Sequence, residues 1–246
     1  MAQLVHINSI LVTGANRGLG LKLIEVLLAS VNPPKHVFAC YRDAGRTTDL
    51  QRLASKHSNL KLIEMNVASD TGIQSAFSTV ESMIPNDGLD VLVNNAAILD
   101  KSNLCDVTSE LMENSFRINT VAPLMIVKAF LPLLEKPKGN TVNGVIVNIS
   151  SIAGSLMESS SLPDRYPYKC SKVALNMITK TLSIDLKDKK IAALAIDPGW
   201  MVTDMGGPNA PLSPEESARA IIDLISQLTM DKSGEYFDIY GDAIPW

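Results

Sequence analysis

Residues 13–20 read Thr-Gly-Ala-Asn-Arg-Gly-Leu-Gly, and this glycine turn decides the fold. The short apolar run 10–12 precedes it, and from Gly18 to Ala29 apolar residues recur at helical spacing, so a strand, a turn and a helix are predicted. Glycine removes Cβ atoms that would block a pyrophosphate, and the N-terminus of the helix supplies free N–H groups to bind it. The pattern indicates a dinucleotide site, although a spaced-glycine turn by itself is also typical of a plain tight turn. The predicted contacts here are Gly14, Asn16, Arg17, Gly18, Leu19 and Gly20.

The alternation of strand and helix continues along the chain. Apolar runs predict strands at 37–41, 60–65, 91–94, 145–149 and 191–196, with a last short strand near 235–239 and helical patterns between them. Strands that are apolar almost throughout are typical of a parallel sheet covered by helices on both faces. We therefore predict one α/β domain over residues 1–246, a Rossmann-type doubly wound parallel sheet of about seven strands in an α-β-α sandwich.

Composition excludes several classes of function. The chain has 246 residues, a formal charge of −4 and scattered Lys and Arg residues, so no basic stripe is present and no nucleic-acid partner is expected. The apolar stretch 124–134 contains Lys128 and Pro132 and is too short to span a membrane, so no membrane partner is expected. The three cysteines are odd in number and lack metal-ligand spacing, which predicts no disulfide framework and no metal. Without a secretory signal, a cytoplasmic protein is predicted.

The end of the second predicted strand bears on the choice of coenzyme. NAD sites normally have an acidic residue there to hold the ribose hydroxyls, whereas this chain has Tyr41-Arg42. Arg42 and Arg17 could together form a cationic fork around a 2′-phosphate, which favours NADP(H). The alternative is that both arginines are solvated surface residues and that Asp43 acts as the acid one position late.

A second group of residues indicates acid-base chemistry. Tyr168 and Lys172 are four positions apart at the start of a helical pattern, so they share a helix face. A nearby ammonium favours the phenolate, and we expect it to move the pKa of Tyr168 from its usual value towards neutrality. Ser150 and Ser151 end the fifth strand, where a hydroxyl can hydrogen-bond a substrate oxygen, and one of them should face the pocket.

Two loops are predicted to border the same site. Residues 152–167 and 199–211 each follow a strand, and ligands bind outside the carboxyl ends of the strands in an open parallel sheet. The alternative is that they are ordinary surface loops. Apolar residues near the site indicate a pocket for a lipophilic compound. They are Leu99, Ile152, Leu156, Met157, Trp200 and Met205.

Taken together, the motifs resemble the short-chain dehydrogenase/reductase family of the classical type, almost from end to end. The resemblance is carried by Thr13-Gly14-x-x-x-Gly18-x-Gly20, Asn94-Asn95-Ala96-Ala97, Asn119, Ser150-Ser151, Tyr168-x-x-x-Lys172 and Pro198-Gly199. Within the family, residues 199–207 and 244–246 are most similar to sniffer-type NADPH-dependent carbonyl reductases. Ala97 stands where the family usually has Gly, and Asn66 where Asp is common, but neither departure removes a catalytic group.

The resemblance also implies roles for individual residues. Ser151 rather than Ser150 would bind the carbonyl oxygen, Tyr168 would donate the proton, and Lys172 would also hold the nicotinamide ribose. Asn119 would support a water relay, unless it is an ordinary polar residue within a helix. Further cofactor contacts implied by the resemblance are Asn66, Val67, Asn94, Ala96, Pro198, Gly199, Val202 and Thr203.

These observations predict an oxidoreductase acting on CH–OH or C=O groups, a carbonyl reductase of class EC 1.1.1.-. It would use NADPH to reduce an aldehyde, ketone or quinone, with a small lipophilic carbonyl compound as substrate. One alternative is a biosynthetic reductase acting on an oxoacyl thioester or a pteridine. Another is an NADP(H)-sensing binding protein that controls a partner. Members of the family range from monomers to tetramers, and a homodimer is expected.

Overall fold

The computed structural model describes residues 5–136, 142–158 and 163–246. Its centre is a seven-stranded parallel sheet with the strand order β3-β2-β1-β4-β5-β6-β7. The strands are β1 Ser9–Val12, β2 His36–Tyr41, β3 Leu60–Glu64, β4 Val91–Asn94, β5 Gly144–Ile149, β6 Ile191–Ile196 and β7 Tyr236–Phe237. The helices are α1 Gly18–Ala29, α2 Thr48–Ala54, α3 Asp70–Met83, α4 Ser109–Phe116, α5 Ala122–Leu134, α6 Tyr166–Asp185 and α7 Pro214–Ser226. The predicted α/β fold is confirmed.

Alternate strand residues supply two hydrophobic cores, one on each face of the sheet. In β1, Ile10 and Val12 pack in the core that also contains buried residues of α1 and α7. Leu11, between them, packs in the opposite core with residues of α3 and α5. Because successive strand side chains point to opposite faces, a strand buried on both sides must be apolar throughout.

The strand bounds agree with the predicted ones to within two residues. The largest difference is β7, predicted over 235–239 and observed over Tyr236–Phe237. The strand ends there because the Asp238 carboxylate accepts hydrogen bonds from the backbone N–H groups of Tyr240 at 2.8 Å and Asp242 at 3.0 Å. These contacts close a turn, so the pairing of β7 with β6 ends at Phe237. Helix α6 begins two residues before Tyr168, with Pro167 in its first turn, where proline is well tolerated.

The sheet reverses its direction of growth between β1 and β4, which are neighbours in space. A crevice forms at the carboxyl ends of the strands at such a switch point. The glycine turn after β1, the segment after β4 and the residues after β5 and β6 all lie at this edge of the sheet. The fold therefore brings the predicted site segments to one place.

A long helical run joins α4 to α5 through a π-helical turn at Arg117–Val121. By length and composition, Ser109–Leu134 is the one helical run within the described ranges that could cross a membrane. This run is longer than the apolar stretch that the sequence indicated. Half of its most apolar window is buried inside the protein, as in the core helix of a folded domain. The expectation of no membrane partner stays a prediction.

Candidate active site

The glycine turn is packed directly against the segment that follows β4. Gly14 has a φ of +64°, and a Cβ on it would lie 3.0 Å from the Cα of Ala96. A Cβ on Gly20 would lie only 2.4 Å from the carbonyl oxygen of Gly14. The Thr13 hydroxyl accepts hydrogen bonds from the backbone N–H groups of Asn95 and Ala96, both at 2.9 Å. Only glycine fits these two turn positions.

The N-terminus of α1 is open to an anion. Arg17 is the capping residue, and within the described structure α1 has no side-chain cap and no acidic residue in its first turn. Its first N–H groups are therefore available, as at phosphate-binding helix termini. Leu19 is buried, so only its backbone can face a ligand. A Cβ on Gly18 would lie 3.6 Å from Thr203 Cγ2, which places the loop after β6 beside this turn.

Arg17 and Arg42, the two cations predicted to bind a 2′-phosphate, are both exposed. Arg42 is exposed at the end of β2. Arg17 Nη1 forms an exposed ion pair with Asp204 Oδ2 at 2.9 Å, which links the glycine turn to the loop after β6. The Asp43 carboxylate accepts a hydrogen bond at 2.9 Å from the N–H two residues further on, and lies 3.7 Å from Arg46 Nε. This local use argues against Asp43 as the acid that holds a ribose.

Arg46 is a cation that sequence reasoning missed. The Asn16 side chain in the glycine turn donates a hydrogen bond to the Arg46 carbonyl oxygen at 3.2 Å, which draws the segment after β2 towards the turn. The signal in the sequence was a second arginine four residues after Arg42. It is weak, because arginines in polar loops are common.

The fold brings Ser151, Tyr168 and Lys172 together. Lys172 Nζ lies 5.7 Å from the centroid of the Tyr168 ring. Lys172 is buried, and its ammonium donates a hydrogen bond to the Ile149 carbonyl oxygen at 2.6 Å. The Tyr168 phenol is hydrogen-bonded to the Ser151 side chain. A substrate oxygen beside the two hydroxyls would meet two hydrogen-bond donors.

Burial sets the protonation states of Tyr168 and Lys172. Desolvation raises the pKa of Tyr168 to about 12, although the hydrogen bond with Ser151 acts in the opposite direction. The expected downward shift of this pKa is therefore wrong for this structure, because desolvation of a phenolate outweighs the charges around it. Desolvation also lowers the pKa of Lys172 to about 8, opposed by the negative charge of Asp197. At neutral pH the phenol keeps its proton and most of the lysine stays charged.

The two serines at the end of β5 have different surroundings. The Ser150 hydroxyl is buried and donates a hydrogen bond to Asn176 Oδ1 at 2.6 Å, on the side of the core. The Ser151 hydroxyl is half-buried, faces Tyr168 and accepts a hydrogen bond from Ala153 N at 3.2 Å. This geometry favours Ser151 over Ser150 as the residue that meets a substrate.

Asn119 lies in the π-helical turn between α4 and α5 rather than in ordinary helix. Its side chain accepts from Ile98 N at 2.9 Å and donates to Ile98 O at 2.9 Å and to Ser171 Oγ at 3.0 Å. It therefore joins the segment after β4 to the helix that carries Tyr168. Such π turns occur often at functional sites. The water relay stays a prediction.

Asn94 ends β4 in a buried polar network. Its amide donates to Asn148 Oδ1 at 2.9 Å, and the amide of Asn148 donates to Thr179 Oγ1 at 2.8 Å. Asn94 Oδ1 is buried and has no hydrogen-bond partner in the described part of the protein. An unpartnered buried acceptor is costly, so it fits a site where a ligand supplies a donor. Sequence reasoning did not find Asn148 or Thr179.

The remaining predicted cofactor contacts lie at the same edge of the sheet. Asn66 is exposed after β3, with its Oδ1 accepting from Ala68 N at 3.1 Å, and Val67 beside it is half-buried. After β6, the carbonyl oxygen of Pro198 accepts from the Ser217 hydroxyl at 2.7 Å. Gly199 follows with a φ of +75°, and Val202 N donates to Leu212 O at 2.9 Å. These contacts hold the loop after β6 in place.

Asp197, at the end of β6, is a further residue that sequence reasoning missed. Its Oδ1 accepts a hydrogen bond from Ile152 N at 3.0 Å, one residue after Ser151. It also accepts from the backbone N–H of Gly199. The available signal was an acidic residue placed directly between an apolar strand and Pro198-Gly199.

The last residues of the chain contact the segment that carries Ser151, directly and through Tyr236. The Tyr236 hydroxyl donates a hydrogen bond to the Ser151 carbonyl oxygen. The ring of Trp246 stacks on that of Tyr236, with 5.4 Å between centroids. The Ser155 hydroxyl donates to Pro245 O at 2.6 Å. Residues 245–246 are thus held against the segment that carries Ser151.

Most of the apolar residues predicted to line the substrate pocket are exposed, so they form a rim and do not enclose the pocket. Leu156, Met157 and Trp200 expose most of their side chains, whereas Leu99 and Ile152 are half-buried. Met205 is also exposed. Residues 159–162 of the predicted loop 152–167 lie outside the described residues. Within the described ranges, no group of three or more His, Cys, Asp or Glu side chains is placed to hold a metal ion.

Comparisons with known proteins agree with this geometry. Residues 8–211 match the model of the short chain dehydrogenase family. The carbonyl reductase Sniffer of D. melanogaster superposes with a TM-score of 0.95 at 37% identity, over 98% of this chain and 100% of that one. An NADPH-bound carbonyl reductase from chicken fatty liver gives a TM-score of 0.94 at 37% identity, with the same coverage. The short chain dehydrogenase gsfK of Penicillium aethiopicum is 33% identical, over 97% of this chain and 99% of its own length.

The predicted family resemblance is confirmed, since the family model spans most of the chain and the similarity to sniffer-type reductases extends over almost all of it. The chain belongs to the short-chain dehydrogenase/reductase family of oxidoreductases.

Proposed function

We propose that this protein is a carbonyl reductase of class EC 1.1.1.- that uses NADPH to reduce a small lipophilic aldehyde, ketone or quinone. The observation that carries the proposal is the Tyr168 phenol, hydrogen-bonded to Ser151 and facing the buried ammonium of Lys172. Burial raises the pKa of Tyr168 to about 12, so the phenol holds a proton that it can donate at neutral pH. A protonated donor is what carbonyl reduction requires.

NADP(H) fits the residues of this site. The glycine turn leaves no room for side chains at Gly14 and Gly20, and α1 offers uncapped N–H groups for the pyrophosphate. Arg17 and Arg42 supply positive charge for a 2′-phosphate, which would compete with the exposed Asp204 carboxylate for Arg17. The Asp43 carboxylate is engaged in its own turn. The chicken carbonyl reductase of similar structure has NADPH bound, which supports the same coenzyme here.

The roles of the side chains follow from their geometry. Reduced nicotinamide, when bound, supplies the hydride that attacks the carbonyl carbon. Ser151 and Tyr168 donate hydrogen bonds to the carbonyl oxygen and stabilise the negative charge that develops there. The proton of Tyr168 passes to that oxygen and leaves a phenolate, which the Lys172 ammonium stabilises from 5.7 Å. Lys172 also binds the nicotinamide ribose in this proposal.

The exposed apolar rim supports a lipophilic substrate. Leu156, Met157 and Trp200 each leave more than half of their side chain exposed beside the site. Apolar surface of this kind is typical of ligand-binding sites. The sniffer-type relatives are named carbonyl reductases, which supports a carbonyl substrate. A reductase acting on an oxoacyl thioester or a pteridine would use the same catalytic residues, so a substrate panel decides between these classes.

The cellular setting is part of the proposal. We place the protein in the cytoplasm because Cys105 and Cys170 are exposed free thiols, which suit a reducing compartment.

A homodimer is proposed from exposed apolar side chains on α6, where Met177 and Ile184 are each about two-thirds exposed. Sedimentation at several protein concentrations tests this assembly, and a monomer at all of them contradicts it.

Tyr168→Phe tests the mechanism. The variant lacks only the hydroxyl, so we expect turnover to fall by at least about 10²-fold while NADPH binding stays close to that of the unmodified protein. NADPH oxidation is measured with aldehydes, quinones, steroids and acyl thioesters, and NADPH binding by calorimetry. Tyr166→Phe is the matched control, because Tyr166 lies on the same helix with its side chain exposed. Substantial activity in Tyr168→Phe would refute the mechanism. NADPH binding by the unmodified protein without turnover of any of these compounds would favour an NADP(H)-sensing protein.

A further inference from the structure

Asp197 lies where four parts of the site meet. It follows β6, its backbone N–H donates to the Phe237 carbonyl oxygen of β7 at 2.8 Å, and its carboxylate holds Ile152 N at 3.0 Å. The same carboxylate accepts from Gly199 N at the start of the loop after β6. One side chain therefore connects the turn after Ser151 to the loop that borders the glycine turn.

The charges around Asp197 come from two elements. From α6, Lys172 and Tyr168 face it, and Arg165 at the start of that helix acts on Tyr168. From β7 and the turn after it, Tyr236 and Asp238 face the carboxylate. Among these groups Lys172 is the buried cation, and Asp197 is the anion that opposes the loss of its charge.

The buried ammonium needs such an anion. Lys172 donates a hydrogen bond to the neutral Ile149 carbonyl, which stabilises the charge only in part. Desolvation disfavours the charged form of a buried lysine, and a nearby carboxylate favours it. The pKa of Lys172 is lowered to about 8, so a further decrease would discharge the residue at neutral pH.

We propose that Asp197 is a positioning residue of this active site, which keeps Lys172 charged and fixes the turn after Ser151. This inference rests on the proposed function for its activity readout. It is independent of the identity of the substrate, because Asp197 acts on Lys172 and not on the carbonyl compound. Its carboxylate has its own raised pKa through burial, but two backbone N–H donors and Lys172 favour the ionised form.

Asp197→Asn removes the charge and keeps an oxygen that can accept from Ile152 N. Because the pKa of Lys172 would fall, the alkaline limb of kcat/KM for NADPH should move to lower pH by roughly one unit. Near-normal rates should return at mildly acidic pH, where Lys172 is protonated again. The NADPH dissociation constant, measured by calorimetry across the same pH range, should rise with the same displaced midpoint.

Three further variants separate charge from structure. Asp197→Ser is a second neutral variant, to be used if the amide does not fold as judged by circular dichroism. Asp197→Glu retains the charge, and its alkaline limb should stay near that of the unmodified protein even if its rate is lower. Asp238→Asn is the matched control, because it removes a carboxylate that faces Asp197 and not Lys172. Its alkaline limb should not move to lower pH.

A uniform loss of rate at every pH, with the alkaline limb unmoved, would overturn the proposal and leave Asp197 a purely structural residue. An equal displacement in Asp238→Asn would overturn it as well. If the unmodified protein reduces no carbonyl compound, the proposed function fails, but the pH dependence of NADPH binding still decides the role of Asp197. The proposed function and the proposed role of Asp197 are thus tested by different measurements.

Discussion

Gly20→Ala would test the packing that makes the glycine turn a cofactor site. A Cβ at this position would lie 2.4 Å from the Gly14 carbonyl oxygen and 2.6 Å from Asn95 Nδ2. The backbone carbonyl cannot withdraw without moving the turn. The Asn95 amide donates to Thr13 O at 2.8 Å and to Gly14 O at 3.2 Å, so its withdrawal breaks both hydrogen bonds.

The expected magnitude follows from three effects. Overpacking costs about 1–3 kcal/mol. Each broken hydrogen bond costs about 1 kcal/mol. Alanine instead of glycine inside α1 returns about 1 kcal/mol through helix propensity. We therefore expect the free energy of unfolding to fall by about 2–4 kcal/mol, with weaker NADPH binding because the Gly14 carbonyl is displaced.

Urea unfolding followed by circular dichroism measures the first quantity, and calorimetric titration with NADPH the second. Gly18→Ala is the matched control, because a Cβ there meets nothing closer than 3.6 Å. Its positive φ of +53° should cost only about 1–2 kcal/mol. If Gly20→Ala is as stable as the unmodified protein, or more stable as helix propensity alone requires, the reasoning about the turn is refuted.

Two further predictions concern coenzyme choice and the support of Ser151. Arg42→Ala should raise KM for NADPH about tenfold, as expected for one lost charged hydrogen bond, and leave KM for NADH unchanged. Steady-state kinetics with both coenzymes checks this, and an equal change for NADH would contradict the phosphate role. Tyr236→Phe should lower the free energy of unfolding by about 1–3 kcal/mol and reduce kcat, because the Ser151 carbonyl loses its donor. Urea unfolding and turnover measure both effects, and an unchanged kcat would show that Ser151 is held by other contacts.

The elements of the fold could be predicted because each one carries a local pattern. Apolar runs such as 145–149 identify strands, and the spacing of apolar residues after Gly18 identifies α1. The end of β7 could not be predicted, because it depends on hydrogen bonds from two N–H groups to Asp238. The pairing of β1 with β4 also depends on contacts between distant parts of the chain.

The contacts of the candidate site also differ in whether a local sequence pattern predicts them or whether they join distant parts of the chain. Tyr168 and Lys172 are one helical turn apart, so their proximity follows from the helical period alone. Asp197 reaches Ile152 across 45 residues, and Tyr236 reaches Ser151 across 85, so no short spacing indicates either contact. The direction of the Tyr168 pKa shift was also missed, because it depends on how far the phenol is buried.

The ring stack at the end of the chain has a practical consequence. The protein has two tryptophans: Trp246 stacks on Tyr236, whose hydroxyl contacts the Ser151 carbonyl, and Trp200 lies in the loop after β6. Reduced nicotinamide absorbs light in the range where tryptophan emits. Intrinsic fluorescence should therefore be quenched when NADPH binds, and it should recover as the coenzyme is oxidised. The two tryptophans would then serve as an optical reporter of the site, without any added label.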